Sequence, residues 1–105
     1  MNNFKQLDNV EIEAMCQFYS NFKDPTRLKI LYALSQEELS ASDLCKMFDL
    51  TKSNLSHQMQ ILILNKLIRA TKNGRTVTYQ LNDEHVNEII NVGYTHLFGE
   101  DEDGE

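Results

Sequence analysis

The sequence predicts a mainly α-helical chain carrying a single β-hairpin, and three observations predict it. Apolar residues recur at helical spacing between residues 8 and 64 and again after residue 82. The lone proline, Pro25, follows an aspartate in the arrangement that opens a helix. Asn73-Gly74 sits between two β-prone runs in LIRATKNGRTVTYQL, and Asn-Gly is the strongest short hairpin signal, because a type I′ turn needs positive φ at both central residues. At 105 residues the chain fits one small domain. That domain is expected to span residues 1–98, with 99–105 an acidic, disordered tail.

Asp8, with Glu11 three residues on, reads as a capped helix start; Val10, Met15, Phe18, Tyr19 and Phe22 then form an apolar stripe ending near Lys23. Asp24 and Pro25 open the next helix, whose apolar positions are Leu28, Ile30, Leu31 and Leu34. Ser40 with Asp43 is a second capping box, before a short helix bearing Leu44, Met47 and Phe48. Thr51 caps a further helix reaching about Leu64. Two short helices joined by a three- or four-residue turn make a helix-turn-helix. With the hairpin directly after it, the arrangement is a winged helix. Asn82 and Asp83 restart a helix that runs to about Phe98, and Gly99 ends it.

Composition removes several function classes. With 41% hydrophobic and 25% charged residues, the chain has an ordinary globular balance. No apolar run approaches the roughly 20 residues of a membrane span, and MNNFKQLDNVEIE has neither the charge nor the apolar core of a signal peptide. A cytoplasmic protein without a membrane partner is therefore expected. Cys16 and Cys45 lack CxxC spacing, which argues against a disulfide framework or a cysteine zinc knuckle, and both are expected to be packing residues. No serine or cysteine nucleophile motif, phosphate loop or HExxH is present, so an enzyme is not expected.

The net charge of −6 divides unevenly. Residues 1–50 carry net −3, residues 51–82 hold five Lys/Arg and no acid, and residues 83–105 hold eight acids and no Lys or Arg. A basic patch in the middle of the chain suits a nucleic-acid surface. On the helix after Thr51, Leu55, Met59 and Leu62 should face the core, leaving Ser53, Ser56, His57 and Gln60 on the opposite side. Small hydroxyls, an imidazole and an amide there suit hydrogen bonds to base edges in a major groove, while Lys52 reaches phosphate. Lys72 and Arg75 flank the hairpin tip, within reach of phosphates or a minor groove.

His85 and His96 pose a separate question. Eleven residues on a helix are three turns plus roughly 20°, so the two share a face, yet they stand about 16 Å apart along the axis. Zinc holds its nitrogen ligands at about 2 Å, so no single helix brings both imidazoles to one metal.

The segments DPTRLKILYAL and LTKSNLSHQMQILILNKLIRATKNGRTVTYQL strongly resemble the ArsR/SmtB family of small bacterial metal-responsive repressors, over roughly residues 10–98. The resemblance implies a homodimer joined through its first and last helices. It also implies binding to an imperfect inverted repeat of double-stranded operator DNA, with release when an inducer binds. In the zinc-sensing branch the last helix carries Asp-x-His, ten residues, His, two residues, then His or Glu; here Asp83, His85 and His96 match the first three ligands. Two antiparallel copies of that helix would set Asp83 and His85 of one chain beside His96 of the other. Gly99 stands at the fourth position and has no ligand atom; Glu100, or Asp101, follows it. Mixed His and carboxylate ligands favour Zn(II), with Co(II) and Ni(II) as chemical relatives. Another branch binds soft metals through Cys-x-Cys in a stretch like ELCVCD, where this chain reads ELSASD, so that site is not expected. The rival reading is a family member whose metal site has degenerated at Gly99. Because neutral imidazole is the ligand form, metal affinity should fall below about pH 6.5.

Overall fold

The computed structural model describes residues 4–99. The acidic tail from Glu100 onward, with the expectation attached to it, lies outside the described residues. The elements run α1 (Asn9–Lys23), α2 (Pro25–Leu34), β1 (Leu39–Ser40), α3 (Ala41–Phe48), α4 (Lys52–Leu64), β2 (Ile68–Asn73), β3 (Thr76–Leu81) and α5 (Glu84–Phe98). Among the described residues no helix is long and apolar enough to cross a membrane.

Local chemistry places the helix starts. The Asp8 carboxylate accepts from the Glu11 N–H at 2.8 Å while the Glu11 carboxylate accepts from the Asp8 N–H at 3.0 Å, two orphan donors met reciprocally. Asp24 accepts from the Arg27 N–H at 2.9 Å beside Pro25, whose missing N–H costs nothing in a first turn. Ser40 and Asp43 form the second capping box, and Thr51 accepts from the Asn54 N–H at 3.0 Å. Only Asp49, Leu50 and Thr51 separate α3 from α4, and Asp49 makes the sharp turn with φ +53°, a left-handed conformation that aspartate tolerates. At the end of α1, Asn21 is buried and its Nδ2 donates to the carbonyls of Gln17 and Phe18.

The wing differs from expectation in two respects. Asn73 is not a central turn residue: it pairs with Thr76, so Gly74 and Arg75 form the two-residue loop. Gly74 has φ +62° and Arg75 does not share the positive φ, which is the glycine-first pattern of a type II′ turn rather than the expected I′. Asn-Gly located the hairpin, while the pairing of Asn73 set its register one residue on. The second difference is a third strand. β1, two residues long, pairs antiparallel with β3 (Leu39 with Tyr79, Ser40 with Thr78), giving a sheet in the order β1-β3-β2. A two-residue strand has no periodicity to detect, and its partner is some forty residues away.

One core holds these elements together. Ile30, Leu31 and Leu34 of α2 meet Leu44 of α3, Leu55, Met59 and Leu62 of α4, Leu67 and Ile68 at the entry to the wing, and Val86 and Ile90 of α5. The expected inward face of α4 is confirmed by all three of its residues. Five other apolar positions lie outside the core: Val10, Met15 and Tyr19 on α1, Leu28 on α2 and Met47 on α3 are exposed. Cys16 is exposed as well, against the expectation of a packing role, while Cys45 is half-buried against the core. On α5, Val92, Tyr94, Leu97 and Phe98 are exposed too, Leu97 to 72% and Phe98 to 69%. The first and last helices thus present more apolar surface than a lone domain this small would leave uncovered.

Truncating Leu62, which has no exposed surface, to Ala should lower stability by about 2–5 kcal/mol. Met47→Ala, at a half-exposed position, should cost about 0.5 kcal/mol or less. Urea unfolding midpoints of the two variants at equal slope check this ordering.

Candidate functional site

The fold sets α4 and the wing tip on either side of a groove of about 750 Å³. Lys52 and Ser56 line it from α4, and Arg75 from the turn. Lys46 and Ser42 of α3 line it as well, and neither is expected from the sequence as a nucleic-acid contact. Lys46 falls in the half of the chain whose net charge is negative, so only its place in the fold reveals it. Ser53, His57 and Gln60 are exposed on the outer side of α4, and Lys72 is exposed on β2, outside the groove lining. The seven residues expected to meet nucleic acid therefore all lie on accessible surface, with three of them converging on one groove. Tyr79 closes the groove floor; burial, and secondarily the nearby Cys45, raise its phenol above the ordinary value of 10.0.

α4 is anchored from behind. Arg27, on the first turn of α2, donates through Nη1 to Gln58 Oε1 at 3.0 Å, fixing the mid-length of α4 to the helix beneath it. Two cations of the basic block are committed or turned differently from the rest. Lys66 occupies the α4–β2 turn with φ +61°. Arg69, at the base of the hairpin, donates to the Asn82 carbonyl at 3.1 Å.

The second cluster lies at the start of α5. Asp83 is its N-cap, with Oδ1 accepting from the Val86 N–H at 3.3 Å, and His85 Nδ1 stands 3.6 Å from the same oxygen. Both side chains are exposed. Two ligand atoms of a tetrahedral zinc, each about 2 Å from the metal, are about 3.3 Å apart, so this pair is spaced to share one ion after a small adjustment. Slight desolvation pushes the exposed Asp83 carboxyl up, but the Val86 N–H, the Asn82 amide, the His85 charge and the His85 N–H together outweigh it and hold the group below its ordinary 3.8. Asp83 is thus an anionic donor wherever imidazole is neutral. His96 is exposed on the last turn of the same helix and does not join the pair. Among the described residues no three His, Cys, Asp or Glu side chains gather at one point. Gly99, the helix cap, has φ +66°, and its N–H donates to the Thr95 carbonyl at 2.8 Å.

Comparison with known proteins gives the family and the fold. Residues 24–69 match the family described as bacterial regulatory protein, arsR family. The chain is 34% identical over 87 residues to a transcriptional repressor SmtB homolog from Synechocystis, covering 83% of this chain and 66% of that one, just under two thirds of the relative's length. It is 31% identical over 103 residues to an arsenical resistance operon repressor from Bacillus subtilis, covering 94% and 98% of the two chains. The fold superimposes with a TM-score of 0.76, at 20% identity, on a homodimeric winged helix-turn-helix DNA-binding domain from Mycobacterium bovis, covering 92% of this chain and 94% of that one. The mainly α winged helix-turn-helix expected from the sequence is therefore the fold. These curated relatives are regulators, and none is an enzyme. With a shared helix-turn-helix segment and a match that runs nearly end to end against the Bacillus protein, the chain belongs to the arsR family of bacterial regulatory proteins.

Proposed function

We propose that this protein is a metal-responsive transcriptional repressor, a homodimer that binds an inverted-repeat operator and is released by Zn(II) bound between its two α5 helices. The observation that carries the reading is the layout of α5, with an Asp83–His85 pair 3.6 Å apart at one end and a lone His96 three turns away on the same face. Asp83 and His85 supply two donors, and His96 of a second copy supplies the third. The exposed apolar faces of α1 and α5 support a dimer that would bring those ends together. Glu100 is the proposed fourth ligand, with water the alternative. Bound zinc would act as a cross-link and bring no redox chemistry. In the metal-free dimer Ser53, Ser56, His57 and Gln60 meet base edges, while Lys52, Lys72 and Arg75 neutralise phosphates. The repressor names of the two curated relatives support the DNA role.

One observation favours a second reading. Gly99 occupies the fourth ligand position with a left-handed φ. A regulator of the same family with a degenerate metal site, constitutive or answering another inducer, fits that residue.

Duplex binding should weaken steeply with salt. Lys52→Ala and Arg75→Ala should each lower the salt slope by about one and weaken all sequences alike, whereas Gln60→Ala should change the preferred sequence. Fluorescence anisotropy across a salt series reads both effects. Zinc titration of the metal-free protein, with and without a duplex carrying the inverted repeat upstream of its own gene, separates the two functional readings. A sensor should take up about one zinc per chain and lose DNA affinity tenfold or more, about 1.4 kcal/mol of coupling, and His96→Ala should abolish both effects. Tight DNA binding that zinc leaves untouched establishes the degenerate reading instead.

A further inference from the structure

Arg69 sits in the basic block and is exposed, yet its guanidinium is bonded to the protein's own groups. Nη1 donates to the Asn82 carbonyl at 3.1 Å. With the Gln80 amide turned so that its oxygen faces the guanidinium, Nε and Nη2 donate to it at 3.1 and 3.0 Å. The fork is therefore engaged at the base of the hairpin, where Arg69 pairs with Gln80 across β2 and β3. It is not available as a phosphate contact like Lys52 or Arg75.

The carbonyl it holds belongs to the peptide linking Asn82 to Asp83. On the wing side, the Asn82 N–H is tied to the Leu67 carbonyl at 2.9 Å. On the helix side, Asp83 caps α5 through one long bond, Oδ1 accepting from the Val86 N–H at 3.3 Å, while its Oδ2 accepts from the Asn82 side-chain amide, also at 3.3 Å. A metal held by a carboxylate oxygen of Asp83 would compete with those weak bonds and would shift the residue. The peptide is planar and moves as one body, so turning it at Asp83 swings the Asn82 carbonyl relative to the guanidinium. Arg69 feels that displacement while gripping Gln80 on β3.

We propose that Arg69 is a positioning residue that passes metal binding at Asp83 to the wing, through the single peptide that carries the metal ligand at one end and the Arg69 acceptor at the other. This deepens the zinc-sensor reading and rests on it. Lysine cannot replace the fork, because it is a point charge that cannot hold the Asn82 carbonyl and the Gln80 amide in one fixed plane.

The test uses the full chain and three variants, Arg69→Met, Arg69→Lys and Gln80→Met. Zinc affinity without DNA is read by competition with a chromophoric chelator, and duplex affinity is read with and without zinc. In all three variants zinc affinity and metal-free DNA affinity should stay within about threefold of the parent, while the zinc-induced loss of DNA affinity falls from tenfold or more to below about threefold. The Gln80 variant leaves the charge intact and answers the question even if removal of Arg69 impairs folding. Undiminished coupling in Arg69→Met and Gln80→Met, in a parent that does couple, overturns the proposal alone. A drop in the metal-free salt slope of about one in Arg69→Met also overturns it, because the residue is then a phosphate contact. A parent that binds DNA but shows no zinc response overturns the sensor reading itself, and the proposal falls with it.

Discussion

A helix advances about 1.5 Å per residue, and that fixed rise governs what α5 can do. It keeps the Asp83–His85 pair and His96 on one face but too far apart for any single ion. A metal site using both ends of the helix would therefore need a second copy of the chain, and the exposed apolar surface of α1 and α5 is the contact such a dimer would use. Under that reading metal sensing and dimerisation depend on the same helices. A ligand that bridges two subunits can alter the placement of two reading heads, which a ligand held inside one chain could not do so directly.

The charge pattern expresses the same economy. Lys52 and Arg75, from α4 and the turn, converge on a groove to which α3 adds Lys46. The acidic residues of α5 follow the wing in the chain, beside the proposed metal ligands. Separating the signs along the chain thus separates a basic groove from an acidic end. A protein with net charge −6 can present a basic surface because the sum over the chain conceals where the charges lie.

Much of this was legible in the sequence, because the signals were local. Asp8, Asp24, Ser40, Thr51 and Asp83 each mark a helix start through a bond to a backbone N–H three residues on, so the helix boundaries followed from neighbours. The buried stripe Leu55, Met59, Leu62 followed from periodicity. Illegible features depended on distant partners or on surface balance. Met47 and Leu28 keep helical spacing but face away from the core, since apolar residues also populate surfaces. Strand β1 exists only because β3 pairs with it. Lys46 joins the groove, and Arg69 leaves the basic face, for reasons fixed by tertiary placement. The proposed metal ligands are legible as a spacing, but a spacing within one chain says nothing of the second copy.

Strand β1 carries a consequence for how this scaffold can be altered. Its two residues end at Ser40, the cap of α3, and their partners Thr78 and Tyr79 lie on the wing. Hairpin and helix-turn-helix are consequently stitched together, and the hairpin is not an interchangeable module. A hairpin grafted from another protein would need matching residues opposite Leu39 and Ser40, or it would loosen the start of α3 and, through the three-residue turn, α4 itself. Diversity in wing sequence is thus confined to the tip beyond Lys72 and the solvent-facing side of β2, the parts of the hairpin that the short strand does not touch.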